Sequence, residues 1–319
     1  MDLVLNNLIS PVVLSFALGM IARAVRSDLE IPSAVYQALS IYLLFAIGLK
    51  GGVALSNTSI AELASPVVAT LFLGLLTPMI AFYLLSGFGK ISRIDAAATA
   101  AHYGSVSAVT FLAALEAIKI AGLTGDGYLP ALVAILEIPG IIVGLLLARQ
   151  NRAGGIKSAL HEVLTGKSIF LLIGGMAIGA LCGAEKIESV APFFIVPFKG
   201  VLCLFLLELG IVAASRLSDM RQAGWRLIII GCVLPCINGL LGCTAGLLAG
   251  MSPGGAAVLG AMSGSASYIA APAAVRIALP KASPGIYLTL SLGVTFPFNL
   301  TIGIPMLIKY SEYLNRLLS

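Results

Sequence analysis

Long apolar runs dominate this chain and restrict it to the folds that a lipid bilayer permits. Each run of about twenty residues is long enough, as a helix, to cross a hydrocarbon core about 30 Å thick. The composition agrees, since 59% of the residues are hydrophobic, only 10% are charged and the mean hydropathy is +1.05. Soluble domains carry about a quarter charged residues. We therefore predict an all-α polytopic membrane protein. Ten such spans cover residues 8–25, 33–50, 61–87, 94–118, 127–148, 168–184, 192–215, 222–249, 254–276 and 284–309.

A glycine-serine motif occurs twice, each time inside an apolar span. Gly104-Ser105-Val106-Ser107 in the fourth span recurs 160 residues later as Gly264-Ser265-Ala266-Ser267 in the ninth. This offset predicts a duplication, with repeats at 1–150 and 168–319 joined by a linker at 151–167. Because five spans per repeat is an odd number, the second repeat must enter the membrane from the opposite side. Inverted repeats of this kind are typical of secondary transporters.

Basic residues are distributed unequally between the two sides of the predicted membrane. Thirteen of the nineteen lie in loops that follow odd-numbered spans. By the positive-inside rule these loops are cytoplasmic, so both termini of a multi-pass inner-membrane protein face outward. The basic residues are dispersed among short loops, which argues against a nucleic-acid partner. The thirteen are Arg23, Arg26, Lys90, Arg93, Arg149, Arg152, Lys157, Lys167, Arg216, Arg221, Arg226, Arg276 and Lys281.

The repeated motif predicts that the fourth and ninth helices are broken near mid-membrane. Glycine weakens a helix and serine side chains compete for backbone hydrogen bonds. Unwound backbone is tolerated at this depth only where it is buried in protein or lines a cavity. The second half-helices, beginning near Ser107 and Ser267, would point their N-termini at one central point. Helix N-termini attract anions, so we predict a site for a small anion, with the alternative that each serine packs at a close helix crossing.

Polar residues in the neighbouring spans are candidates for ion coupling. Glu137, before Pro139, is a carboxylate in the middle of an apolar span, where ionised groups are costly and usually functional or paired. It would bind sodium or a proton, or brace the broken helix. Thr295 and Asn299 offer neutral oxygens that suit sodium, or they accompany an ordinary proline kink. Ser263 is a further candidate.

Other polar residues near the breaks have a structural interpretation as well as a functional one. Tyr103 and Tyr268 would close the cavity or pack beside it. His102 is better explained as a packing histidine, and Glu208 as a structural or interface residue. The five cysteines, all in apolar runs, have no ligand set for a metal. We expect no cofactor besides sodium as a coupling ion.

Several stretches carry a resemblance to a known family. With them, over nearly the whole membrane part, the sequence resembles the cyanobacterial sodium-dependent bicarbonate transporter family. It departs from that family's pattern at Tyr268, where the pattern has an acidic residue, and at Ala270, where it has a serine. The stretches are 47–52, 104–107, 137–139, 215–217 and 267–280, and residues 283 and 284 with Tyr287.

The resemblance implies a ten-span inverted-repeat fold with core and gate domains, sodium-coupled bicarbonate uptake and a homotrimer. A PII-like cytoplasmic regulator is a possible partner, although the central loop is shorter than the cyanobacterial one. The implied anion site, matched motif by motif, comprises Gly104, Ser105, Val106, Ser107, Ala108, Gly264, Ser265, Ala266, Ser267 and Tyr268.

These observations favour a secondary transporter that takes up bicarbonate with sodium by alternating access, rather than an enzyme. Spans four, five, nine and ten would carry the site, with spans one, two, six and seven as scaffold. Within transport, the alternatives are a carrier of small organic carboxylates and a sodium/proton exchanger. An intramembrane hydrolase would pair His102 with Ser107, and a non-transporting sensor would need a signalling domain.

Overall fold

The computed structural model describes residues 9–148, 161, 164–215, 224–268 and 271–318, and the regular secondary structure in these ranges is entirely helical. The linker predicted at 151–167 lies mostly outside the described residues. In chain order the helices are α1 (Pro11–Ala24), α2 (Ser33–Ser56), α3 (Ile60–Gly87), α4 (Arg93–Gly104), α5 (Ala108–Ile120), α6 (Leu129–Leu147), α7 (Lys167–Glu188), α8 (Ala191–Phe194), α9 (Phe198–Ser215), α10 (Trp225–Leu248), α11 (Pro253–Ser263), α12 (Ala271–Ala278) and α13 (Pro284–Leu318).

Eight helical segments among the described residues are long and apolar enough to cross a membrane. They make the chain a polytopic membrane protein. The predicted first span is the shorter helix α1, of 14 residues, and the ninth is divided between α11 and α12. The number of ten crossings therefore stays a prediction.

Half-buried carboxylates and serines join loops at opposite ends of the helices. Ser252, before α11, donates its N–H and its hydroxyl to Asp126, which precedes α6, with the hydroxyl 3.0 Å from Oδ2. At the other end the Ser283 N–H, before α13, donates to Asp95 Oδ1 at 2.8 Å. Each contact joins two loops that the charge pattern assigns to the same side of the membrane.

The long helices form two groups. Helix α2 packs along α7, and α1 packs along α9. The second group contains α3 to α6 and α10 to α13, in which α4 packs on α3 and α6, and α11 packs on α10 and α13. We call α1, α2, α7 and α9 the scaffold group and the remaining long helices the core group.

Glycines allow the backbones of α2 and α7 to approach closely. A Cβ on Gly48 would lie 2.8 Å from the Leu172 carbonyl oxygen, and one on Gly52 would collide with the Met176 carbonyl. Small residues at helix crossings are the usual means of close packing in membranes, where water does not drive helices together. The α2–α7 pairing therefore depends on these glycines.

Gly52→Ala should destabilise the protein by about 1–3 kcal/mol, because the new methyl group meets rigid backbone and the helices must separate. The measurement is the thermal unfolding midpoint of the purified protein in detergent. Gly174→Ala on α7 is the matched control, since a Cβ there meets no atom within 4 Å. It should leave the midpoint unchanged or raise it, because alanine favours helix over glycine by about 0.5–1 kcal/mol. Equal losses in both variants would contradict this account of the pairing.

Candidate functional site

The first helix break lies where the motif predicts it. Helix α4 ends at Gly104, Ser105 is extended (φ −105°, ψ 156°), and α5 begins at Ala108. Ser107 caps α5, its hydroxyl accepting the Thr110 N–H at 3.2 Å. A side chain at Gly104 would collide with Pro78 of α3 and Gly140 of α6, which lie against it. Glycine thus ends α4 at a crowded crossing, and serine restarts the helix.

The second break has the same construction. Helix α11 ends at Ser263, and Gly264 still donates its N–H to Gly260 at 2.8 Å. The Ser265 hydroxyl donates back to the Met262 carbonyl at 2.7 Å. The Ser267 hydroxyl accepts the N–H of Ala271, the first residue of α12, at 3.2 Å. Residues 269 and 270 lie outside the described residues.

The two breaks contact each other directly. The Ser107 N–H donates to the Ser265 hydroxyl at 2.8 Å, and the Ser267 N–H donates to the His102 carbonyl at 2.8 Å. Backbone groups exposed by one break are therefore satisfied by the other. This exchange holds the beginning of α5 beside residues 265–268, ahead of α12.

A buried carboxylate lies beside the first break. Glu137 of α6 is 3% exposed. Its Oε1 accepts the Ser105 hydroxyl at 2.7 Å, and its Oε2 accepts the Val106 N–H at 3.3 Å. The Ser267 hydroxyl also approaches this carboxylate. Among the described residues that contact Glu137 none is basic, so no protein cation balances a charge there.

A small cavity separates the breaks from the scaffold group. Its volume is about 20 Å³, which is slightly more than one water molecule needs. The N–H groups of Ala108 and Val109 have no acceptor among the described residues. Since Ala108 lines the cavity, its N–H is available to a ligand there. The lining residues are Leu44, Val106, Ser107, Ala108, Val133, Glu137, Ile169, Leu172, Ser267 and Tyr268.

The predicted anion residues thus divide into those that line the cavity and those that support it. Val106, Ser107, Ala108, Ser267 and Tyr268 line it. The predicted residues that do not line it support the breaks: Gly104 packs at the α4 crossing, Ser105 binds Glu137, Gly264 accepts a hydrogen bond from α13, Ser265 binds the first break, and Ala266 is buried.

The predicted ion-coupling residues are not gathered at one point. Glu137 lines the cavity, but Tyr103 contacts Thr295 of α13 with the two hydroxyl oxygens 2.6 Å apart. Thr295 in turn donates to the Gly231 carbonyl at 2.8 Å. Pro235, four residues after Gly231, has no N–H to bind that carbonyl, so the threonine fills a position that the proline leaves open.

Asn299 and Ser263 have separate environments. The Asn299 amide donates to the Gly264 carbonyl at 2.9 Å, which joins α13 to the second break. Asn299 begins a π-helical turn, Asn299–Gly303, and a second such turn spans Thr289–Thr295. The Ser263 hydroxyl donates within its own helix to Leu259.

The structure also contains site residues that the sequence does not single out. Leu44, Val133, Ile169 and Leu172 form the apolar walls of the cavity. Their only sequence signal is hydrophobicity, which most residues of the chain share. Asn238 of α10 is a further buried polar residue. It could have been identified in the sequence as a single amide within an apolar span.

His102 does not pair with Ser107. Its Nδ1 donates to the Ala98 carbonyl at 2.7 Å, and its ring stacks on Tyr287 with the centroids 4.3 Å apart. The Ser107 hydroxyl is bound to Thr110 instead. The packing interpretation of His102 agrees with this geometry, and the arrangement that a serine hydrolase needs is not formed by these two residues.

Ser105→Ala should lower the unfolding midpoint, because it removes a donor from a buried carboxylate, at a cost of about 1–3 kcal/mol. The same substitution should cost less in a Glu137→Gln background, since a neutral amide oxygen is a weaker acceptor than a carboxylate. A double-mutant cycle measures the difference. Ser291→Ala is the control, because the Ser291 hydroxyl binds only its own helix, at the carbonyls of Tyr287 and Leu288. Equal losses in the two backgrounds would exclude the coupling.

Comparison with known proteins agrees with this architecture at the level of the family. A search of curated proteins gave no match. Residues 11–312, which include every helix of both groups except the end of α13, match the family model of the Na+-dependent bicarbonate transporter superfamily. The chain belongs to the Na+-dependent bicarbonate transporter superfamily.

Proposed function

We propose that this protein is a symporter that takes up bicarbonate together with sodium by alternating access. The observation that carries the proposal is the direct contact of two broken helices at a cavity lined by Ser107, Ser267 and Glu137. Membership of the superfamily supports sodium and bicarbonate as the transported species.

The donors at the cavity suit a small oxyanion. The Ala108 and Val109 N–H groups are at the N-terminus of α5, where the helix dipole also favours negative charge. Ser107, Ser267 and Tyr268 add hydroxyl groups that can donate or accept hydrogen bonds. Bicarbonate has both acceptor oxygens and an O–H donor, so it uses both properties. The small volume of the cavity favours a small ligand over a bulky organic carboxylate.

Glu137 gives a physical reason for coupling. An anion cannot bind beside an ionised carboxylate without a positive charge between them or a proton on one of them. Because no basic group contacts Glu137 among the described residues, sodium is the cation that we assign to this role. The cation and the anion would then bind more tightly together than alone, which is the thermodynamic basis of coupling.

The same carboxylate favours a second candidate function. A buried carboxylate that binds either a proton or sodium could exchange one for the other without an anion. Sodium/proton exchange is therefore the alternative that an observation in this structure supports.

Alternating access requires two bodies that move against each other. In our proposal these are the scaffold group and the core group, because the cavity lies between them, with Leu44, Ile169 and Leu172 on the scaffold side. The inverted repeat is part of the proposal. It is supported by pairs of contacts that correspond between the two halves. The packing of α2 on α7 corresponds to that of α9 on α1, and the packing of α4 on α3 corresponds to that of α11 on α10. A homotrimer and a PII-like regulator remain expectations from the resemblance.

Purified protein in proteoliposomes should take up labelled bicarbonate only with an inward sodium gradient. The Ser107→Ala, Ser267→Ala double variant should lose at least about tenfold in uptake rate per protein, because both serines line the cavity and hold the N-termini that face it. The matched control is Ser10→Ala with Ser59→Ala, which removes two N-cap serines of α1 and α3 away from the cavity. Normal uptake by the double variant would remove these hydroxyls from the mechanism.

The same proteoliposomes separate the alternatives. In a competition assay, small organic carboxylates are added during uptake of labelled bicarbonate. If they inhibit this uptake more strongly than unlabelled bicarbonate does, an organic carboxylate carrier is favoured. A sodium-driven change of internal pH in bicarbonate-free buffer would favour sodium/proton exchange. Bicarbonate uptake that persists when choline replaces sodium would contradict the proposed symport.

The proposed orientation predicts opposite labelling of two exposed loop positions. Asn57, after α2, should be outside, and Lys90, after α3, should be inside. In intact cells, an impermeant maleimide should label Asn57→Cys but label Lys90→Cys only after permeabilisation. The native protein is the control, since its five cysteines are all at least partly buried. The reverse labelling pattern would show that the protein has the opposite orientation in the membrane.

A further inference from the structure

The interface between α10, α13 and the second break contains buried amide groups without partners. Asn238, near the middle of α10, is 0% exposed, and neither its oxygen nor its nitrogen has a hydrogen-bond partner among the described residues. Asn299 of α13 is 1% exposed, and its Oδ1 is likewise without a partner. Buried polar groups are nearly always bonded, so these three atoms are open to a ligand.

The orientation of the Asn299 amide is fixed by its hydrogen bond. Its Nδ2 donates to the Gly264 carbonyl at 2.9 Å, and only the nitrogen of an amide can donate. The atom left over is therefore the oxygen, an acceptor. Gly303 keeps the space beside this oxygen open, since a Cβ there would lie against Asn299 Oδ1.

Helices α10 and α13 contact each other at two places, one before and one after the asparagines along each helix. A Cβ on Gly231 would lie 2.7 Å from Val294, and one on Gly239 would lie 3.0 Å from Leu307. Asn238 lies between Gly231 and Gly239 on α10, and Asn299 lies between Val294 and Leu307 on α13. The two amides therefore occupy the same interval of the interface.

The face of α10 that carries Asn238 also points toward the second break. Gly231, Pro235 and Gly242 lie at helical spacings of seven, three and four residues from Asn238, so all four share one side of the helix. A Cβ on Gly264 would lie 2.6 Å from the Pro235 carbonyl oxygen, and one on Gly242 would lie 2.6 Å from the Ser263 hydroxyl. Asn238 is thus directed at the interface of α10 with α11 and α13 and away from lipid.

We infer that Asn238 and Asn299 form a binding site for a monovalent metal cation of the sodium class, distinct from the cavity at Glu137. Two neutral amide oxygens, with the Gly264 carbonyl oxygen next to Asn299, are hard ligands that suit such an ion. A divalent ion is disfavoured because neither residue supplies a negative charge to offset its desolvation. The inference rests on the proposed function, since it adds a second cation to the same transport cycle.

Sodium bound here would act on the second break. Asn299 holds the Gly264 carbonyl, and Ser265 holds the first break through the Ser107 N–H. An ion that orders Asn299 therefore orders the residues that receive the anion. Asn238 is in this account a cation ligand that neither touches bicarbonate nor lines its cavity.

The test is binding of ²²Na+, without bicarbonate, to the purified full-length protein in nanodiscs. Every protein compared carries Glu137→Gln, so that sodium at the Glu137 cavity does not contribute. The Glu137→Gln protein itself should bind sodium saturably, with excess unlabelled sodium as competitor and choline as the inert salt. Adding Asn238→Leu, which is nearly isosteric, should weaken sodium binding at least about tenfold. Adding Gly303→Ala should also weaken it, because the new methyl group crowds Asn299 Oδ1. Adding Asn238→Asp, which keeps an oxygen and adds charge, should leave sodium binding at pH 8 at least as tight.

The control is Thr70→Val on α3, which removes a buried hydroxyl bound only to its own helix at Pro66. It should leave sodium binding unchanged. If Asn238→Leu leaves the sodium affinity of the Glu137→Gln protein unchanged, as expected when a buried water fills this site, the inference is overturned. Loss of sodium binding in a folded Asn238→Asp would overturn it as well.

Uptake assays separate this inference from the proposed function. If Asn238→Leu takes up bicarbonate with the sodium dependence of wild type, the second cation site is wrong and the symport stands. If Asn238→Leu loses ²²Na+ binding while wild-type bicarbonate uptake needs no sodium, the site stands and the symport is wrong.

Discussion

The structure depends on how two interrupted helices satisfy their backbone groups away from water. In hydrocarbon an unpaired N–H or carbonyl costs several kcal/mol, so a broken helix is stable only where something replaces the missing hydrogen bonds. Here much of the replacement is reciprocal. The first break donates to Ser265, and the second donates to the carbonyl of His102. Neither break can therefore move independently of the other, and the beginning of α5 is held in a fixed position beside the second break.

Hydropathy and one repeated motif predict most of the architecture, but they do not predict its irregular parts. The spans at α2, α3, α6 and α10 follow from their apolar length, and both breaks lie at the Gly-Ser motif. The predicted sixth span ends near Gly183, where the chain leaves helical geometry with φ 70°. The predicted seventh is divided between α8 and α9 near Pro197. The π-helical turns of α13 have no local signature besides Pro297, because they depend on partners in α10 and α11 that are distant in sequence.

The candidate site was predictable in its residue types and less so in its contacts. Glu137 was expected either to bind an ion or to brace the broken helix. In the structure it braces the first break through Ser105 and also lines the cavity, so the bracing role is visible and the ion-binding role stays a prediction. The apolar walls could not be identified, since Leu44 and Leu172 resemble dozens of other leucines in sequence. Asn238 could have been flagged as a lone amide in an apolar span, but its direction depends on the packing of three helices.

The uneven composition of the cavity bears on how transport could be driven. Among the described lining residues, all the polar side chains belong to the core group and its breaks, whereas the scaffold group contributes only the apolar side chains of Leu44, Ile169 and Leu172. An apolar wall makes no hydrogen bond to an anion. It does exclude water, and in the proposed mechanism this would strengthen the electrostatic interactions of the anion with the N-terminus of α5 and with a cation at Glu137. In the same mechanism, water would enter when the scaffold group separates from the core group, these interactions would weaken and the ions could leave. Under the proposed mechanism the scaffold thus controls affinity without binding the substrate, and the ions stay with the core group as the site is exposed to each side in turn.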